Sequence, residues 1–157
     1  MEAPPRISAE LRVFLESGLS IVAAVRDEDL VPDGAAAWAA KVRDDGARLT
    51  VFFYEDAGRE MLARLESHPE IALDFDLPTT HRACQVKGTY VSSRRARPAE
   101  RSLVEKQIEA FVADLEAMGI PRTMTAGWKL WPCLAIDVQV THLFEQTPGP
   151  GTGGPLR

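Results

Sequence analysis

The chain predicts an α+β fold: an antiparallel sheet of six strands with two to three flanking helices. Three observations carry that prediction. Segments 19–26, 48–54, 71–76 and 134–140 alternate with the period of two that strands require. They come in runs, with helices inserted between or after them and no regular βαβ alternation, so the strands pair antiparallel. The 157 residues, 45% hydrophobic and 26% charged, are enough for one buried core. A single domain over 1–146 and a Gly- and Pro-rich tail over 147–157 follow from this. Closing the sheet into a barrel removes its exposed edges.

Each element has its own signal. Ser8 is a fitting N-cap for a short helix with Leu11, Phe14 and Leu15 at helical spacing, and Gly18 is placed to end it. Leu19, Ile21, Ala23 and Val25 share one face of strand one, and Asp27-Glu28-Asp29 makes the turn after it. Ala35 to Val42 has helix-favouring composition, but the Pro32-Asp33-Gly34 and Asp44-Asp45-Gly46 turns leave it only strand length, so it reads as strand two. Arg48 to Tyr54, apolar on both faces, is strand three. Asp56 is the expected cap of a helix from Ala57 to about Ser67, with Met61, Leu62 and Leu65 inward and His68-Pro69 ending it. Ile71, Leu73 and Phe75 alternate in strand four.

The most unusual stretch is Thr79 to Tyr90, read as strand five. Ala83, Gln85 and Lys87 point one way and Cys84 and Val86 the other, after a donor-rich Thr-Thr-His-Arg start. Gly88 marks a bulge or a close backbone approach. The polar face is either a ligand wall or a solvent-facing strand of a barrel. The longest helix follows Pro98, with Val104, Ile108, Phe111, Leu115 and Met118 as its stripe and Gly119 as its stop. Residues 121–132 are irregular and carry Trp128 and Trp131, and Leu134, Ile136, Val138 and Val140 form the last strand. The tail is either a mobile end or a strap laid over a partner.

Charge and motifs narrow the function. A net charge of −5 argues against nucleic-acid binding, and the Arg94-Arg95-Ala96-Arg97 run reads as a solvated turn. Cys84 and Cys133 lack CxxC spacing and read as buried free thiols of a cytoplasmic protein. The first seven residues have no targeting pattern, and no apolar run has the length of a membrane span. The Gly149-Pro150-Gly151-Thr152-Gly153-Gly154 tail has GxGxxG spacing but the wrong position and no following helix for a nucleotide loop, and no GxxxxGK or GxSxG motif occurs. His68, His81 and His142 share no ligand spacing, so no metal site is expected. Asp74 and Asp76 read as solvated rather than as an acid/base pair.

Together with the order of elements, Thr80-His81-Arg82-Ala83-Cys84-Gln85-Val86-Lys87-Gly88 resembles the pyridoxamine 5′-phosphate oxidase-like, FMN-binding split-barrel proteins, over about Glu10 to Gln146. The ending Leu143 to Gly151 is similar to that of many small members. The resemblance implies a split β-barrel homodimer with FMN in clefts between subunits and an oxidoreductase activity on a small molecule. Carried over by position, it implies cofactor contacts from Lys41, Tyr54, Arg59, His81, Arg82, Gln85 and Lys87, with Trp128 over the ring. Haem on His81 or His142, another planar ligand, or no cofactor at all are the alternatives. In many FMN-binding members a basic pair opens the helix, and aligning Leu65 and Pro69 places Glu60 and Met61 there. A phosphate beside a carboxylate needs compensating charge, from Arg59, Lys41 and Arg82, or the ligand differs. The Arg and His pattern of true pyridoxamine phosphate oxidases near the carboxyl end is missing, so that activity is not expected.

Overall fold

The computed structural model describes residues 3–156. Its elements are α1 (Ala9–Leu15), β1 (Ser20–Arg26), β2 (Pro32–Ala37), β3 (Ala39–Val42), β4 (Arg48–Tyr54), α2 (Glu55–Leu65), β5 (Glu70–Leu77), β6 (Arg82–Arg95), α3 (Arg101–Ala117) and β7 (Cys133–Glu145). All seven strands lie in one antiparallel sheet in the order β2-β1-β5-β6-β7-β4-β3. The expected second strand is thus two. It starts at Pro32, so the anticipated Pro32-Asp33-Gly34 turn is strand, and it breaks at Trp38. Its first half pairs with β1 and its second with β4, at opposite ends of the sheet order. One chain segment therefore supplies both edges and curls the sheet round. This accounts for seven strands where six were expected.

Burial follows the pleat. Ile21, Ala23, Val25, Leu49, Val51, Phe53, Leu73, Phe75, Val86, Ile136, Val138 and Val140 fill the interior. Phe14 and Leu15 of α1 and Met61 and Leu65 of α2 join that core. The Ser8 side chain accepts a hydrogen bond from the Leu11 amide as the cap of α1, and Gly18 follows with φ +91°. Asp56 is not the cap of α2: the helix starts two residues before the expected Ala57, at Glu55, after a Tyr54 that makes no side-chain cap bond. Asp56 lies in the first turn, where a carboxylate still favours the helix dipole. Gly58 lets α2 approach β7, since a Cβ there would sit 2.7 Å from that of Leu134.

A second cluster lies on the outer face, where Val104, Ile108 and Val112 of α3 cover Ala39, Phe52, Cys133 and Ala135. The buried face of α3 differs from the expected stripe. Gln107 belongs to it, Phe111 and Leu115 are half-buried, and Met118 is 49% exposed. Burial stops at Val112, so the last turn runs past the sheet. Gln107 is polar and buried for a reason: its side chain donates to the Ala40 carbonyl at 2.8 Å and accepts from the Ala40 amide at 3.0 Å. It thereby satisfies the free edge of β3, helped by Glu16, which accepts from the Val42 amide.

The tail lies on its own chain. Gly153 donates to the Glu145 carbonyl, Leu156 to that of Leu143, and Pro155 bridges to Phe144. Arg157, the last residue of the expected tail, falls outside the described residues. No helix among the described residues is long and apolar enough to cross a membrane.

Candidate functional site

The amino-terminal end of α2 gathers charge. Tyr54 ends β4 and Glu55 opens the helix. Glu55 accepts from Arg59 at 2.7 Å and from Arg95, at the end of β6, at 2.9 Å. The Lys129 ammonium lies 5.8 Å from the centre of the Tyr54 ring. Two arginines thus meet one carboxylate, with a third cation against the adjacent Tyr54 ring, at a helix end whose first amides lack intrahelical partners. Partial burial works against ionising Glu55, but the hydrogen bond from Arg95 and the charge of Arg59 outweigh it and hold its carboxyl below the usual range. Glu60 lines the hollow with Asp27, Asp33 and Arg64 on another side of α2. Asp56, which is exposed, is the other acid in the first turn.

This brings two of the anticipated residues together, Tyr54 and Arg59, and adds Arg95 and Lys129, which the sequence reading did not select. Arg95 was hidden in the basic run read as a turn. In fact β6 continues through Arg95, and each arginine takes a separate partner: Arg94 donates to both oxygens of Glu100, at 2.8 and 2.7 Å, while Arg95 reaches Glu55.

The Arg94–Glu100 pair joins β6 to the segment that leads into α3. Glu100 also accepts from the Arg97 amide at 2.7 Å, and its side chain is only 16% exposed. The hydrogen bond from Arg94 holds its carboxyl below the usual range. Its folded pKa being depressed, the stabilisation is present above the unfolded carboxylate value of about 4.3 and fades as pH falls through the folded value. Glu100→Gln is accordingly expected to cost about 1–2 kcal/mol at neutral pH. Urea midpoints at pH 7 and near pH 3 check this, and the deficit should disappear at the lower pH.

The remaining anticipated residues lie elsewhere. Lys41 is exposed on β3, opposite Thr50, whose hydroxyl donates to Asp137 at 2.5 Å. Along the strands it is about 13 Å from the level of Tyr54. Between them Phe52 is covered by α3. His81 sits in the turn before β6 with φ 59° and donates its amide to the Leu77 carbonyl. Arg82 does not share the face of Gln85 and Lys87, because strand side chains alternate. Its guanidinium stacks on Phe14, 4.1 Å from the ring centre. Gln85 and Lys87 face outward, Lys87 with its ammonium 5.4 Å from the Phe144 ring centre. Lys87 precedes Arg95 by eight residues, about 26 Å of strand. Trp128 is stacked within its own chain, against Trp38 at 5.2 Å and Phe111 at 5.9 Å.

Both cysteines are free and buried, as expected, and burial pushes each thiol up to about 12. Asp74 is partly buried on the outer face, and burial together with the neighbouring Asp76 raises its pKa.

Solved structures share this fold. HupZ of Group A Streptococcus matches with a TM-score of 0.57 and 12% identity, over 94% of this chain and 99% of that one. An F420 reductase matches at 0.54 and 16%, over 84% and 94%. A pyridoxamine 5′-phosphate oxidase-related, FMN-binding protein from Nostoc punctiforme matches at 0.51 and 10%, over 96% and 89%. No family model matches the chain, and no curated protein matches it. The fold is the split β-barrel of the pyridoxamine 5′-phosphate oxidase-like proteins.

Proposed function

We propose that this split-barrel chain binds FMN in clefts shared between two copies of itself and works as an oxidoreductase on a small molecule. The observation that carries this reading is the convergence of Arg59, Arg95 and Lys129 beside Tyr54 at the start of α2. A phosphate ester with close to two negative charges fits such a set, because guanidinium forks and free helix amides both recognise phosphate oxygens. The basic pair displaced by Glu60 and Met61 is replaced here by cations from β6 and from the segment before β7. Glu55 is the internal counter-ion of the site, and a phosphate competes with it for the same two arginines.

FMN, when bound, supplies a ring that accepts hydride and passes electrons on. The residues of the chain bind and orient it: Arg59 and Arg95 hold the phosphate charge, the Tyr54 phenol offers a donor, and Lys129 adds attraction from the ring side of Tyr54. No nucleophile is required, in keeping with two cysteines whose thiols stay protonated. A cleft between two copies also gives Lys41 and Gln85 a role, since within one chain they lie far from α2.

A visible absorption spectrum of protein purified without added cofactor tests the reading and separates flavin, haem and neither. Added FMN should raise the melting temperature, because a ligand that binds only the folded state stabilises it. Colourless protein with no such shift sinks the proposal. Glu55→Gln is expected to tighten FMN about tenfold and leave riboflavin, which lacks the phosphate, unchanged. Arg95→Ala should weaken FMN by a similar factor. Titrations of both flavins against the variants read these effects.

A further inference from the structure

We propose a second ligand site, for a small planar carboxylate, on the outer face of β1, β5, β6 and β7. A groove of about 540 Å³ runs there, within the range of small-molecule sites. Ala24 pairs with Ala72, Ala72 with Lys87, and Lys87 with His142, so these four side chains form one row across four strands. Two methyl groups make a flat shelf, and a cation and an imidazole stand side by side at its end. The row is about 14 Å long, room for one ring and its acid group.

The charges choose the ligand. Arg26 and Glu70 on the rim satisfy each other at 2.9 Å. Lys87 has no carboxylate within ion-pair distance among the described residues, and it is the groove's uncompensated charge. His142 has Nδ1 within 3.1 Å of the Thr141 hydroxyl, and its Nε2 has no protein partner among the described residues. One surplus cation with one free imidazole nitrogen matches a single carboxylate. The neighbouring row carries Asp74, opposite Gln85, which repels a second acidic group. The imidazole is held flat against Phe144, 8° from parallel at 5.9 Å, and so favours a planar ligand. The site lies far along β6 from Arg95 and stands independently of the flavin reading.

Benzoate is the probe, with neutral benzamide as its control, titrated into the full-length protein while backbone amides are followed by NMR. Benzoate should shift the amides of Ala24, Ala72 and Lys87 at millimolar concentration. Lys87→Met should weaken it about tenfold, and Lys87→Arg should hold it within about threefold. Ala72→Leu, which fills the shelf, should abolish it. Lys87 is exposed, so its variants leave the core untouched and remain informative if the leucine variant misfolds. Equal shifts with benzamide, unchanged affinity in Lys87→Met, or no response at roughly 10 mM benzoate would each overturn the proposal.

Discussion

Gly88→Val is expected to destabilise the barrel by about 3 kcal/mol or more, at the upper end of what overpacking costs. Gly88 sits at a register shift between β6 and β7, opposite Val140. A Cβ added there would lie 2.5 Å from the Gln139 carbonyl oxygen and closer still to a Val138 methyl. Neither neighbour can retreat, because Val138 is fully buried and the carbonyl belongs to a central strand. The bulge that turns the outer face from the Lys87–His142 row to the Ser92–Asp137 row depends on this bare position. Urea denaturation compares the variant with the wild type, and a midpoint shift under about 0.5 kcal/mol equivalent would contradict this account.

Gln107→Leu should cost about 2–4 kcal/mol, because it leaves a buried amide and a buried carbonyl of Ala40 unpaired at once. The side chain is nearly isosteric, so lost volume does not explain such a loss. Gln107→Glu separates hydrogen bonding from packing. Buried glutamate has a raised folded pKa, so its protonated form, which can donate and accept, supports the fold below the unfolded value of about 4.3. That support is lost as pH rises through the folded pKa. A Gln107→Glu variant close to wild type near pH 4 and much weaker at pH 7, followed by thermal melts, is the expected pattern.

Much of the architecture was legible because period-two segments such as Leu19–Val25 and Ile71–Phe75 bury one face in a way any partner strand must respect. The break at Trp38 was not. Residues 32–42 hold a turn-like Pro-Asp-Gly and a run of alanines, and only pairing with β1 in the first half and β4 in the second makes them extended. Gln107 was invisible for a similar reason: on a helix stripe a glutamine reads as solvent-facing, and the edge it serves lies 67 residues away. At the site, Tyr54 and Arg59 are neighbours in sequence and were found together. Arg95 and Lys129 arrive from β6 and from the irregular segment, so no local spacing announced them. The grouping of Arg82 with Gln85 and Lys87 failed on the alternation that strand geometry imposes.

The break at Trp38 also bears on how the barrel resists self-association. Sheets usually end in two separate border strands, each able to recruit another molecule by backbone pairing. Here both borders, β2 and β3, are consecutive strands of the chain joined by Trp38 alone, whose amide donates to the Phe52 carbonyl and whose indole donates to the Lys129 carbonyl. Severing the chain at that one peptide would release two sticky rims at once, and an intact residue 38 keeps both in the same covalent loop.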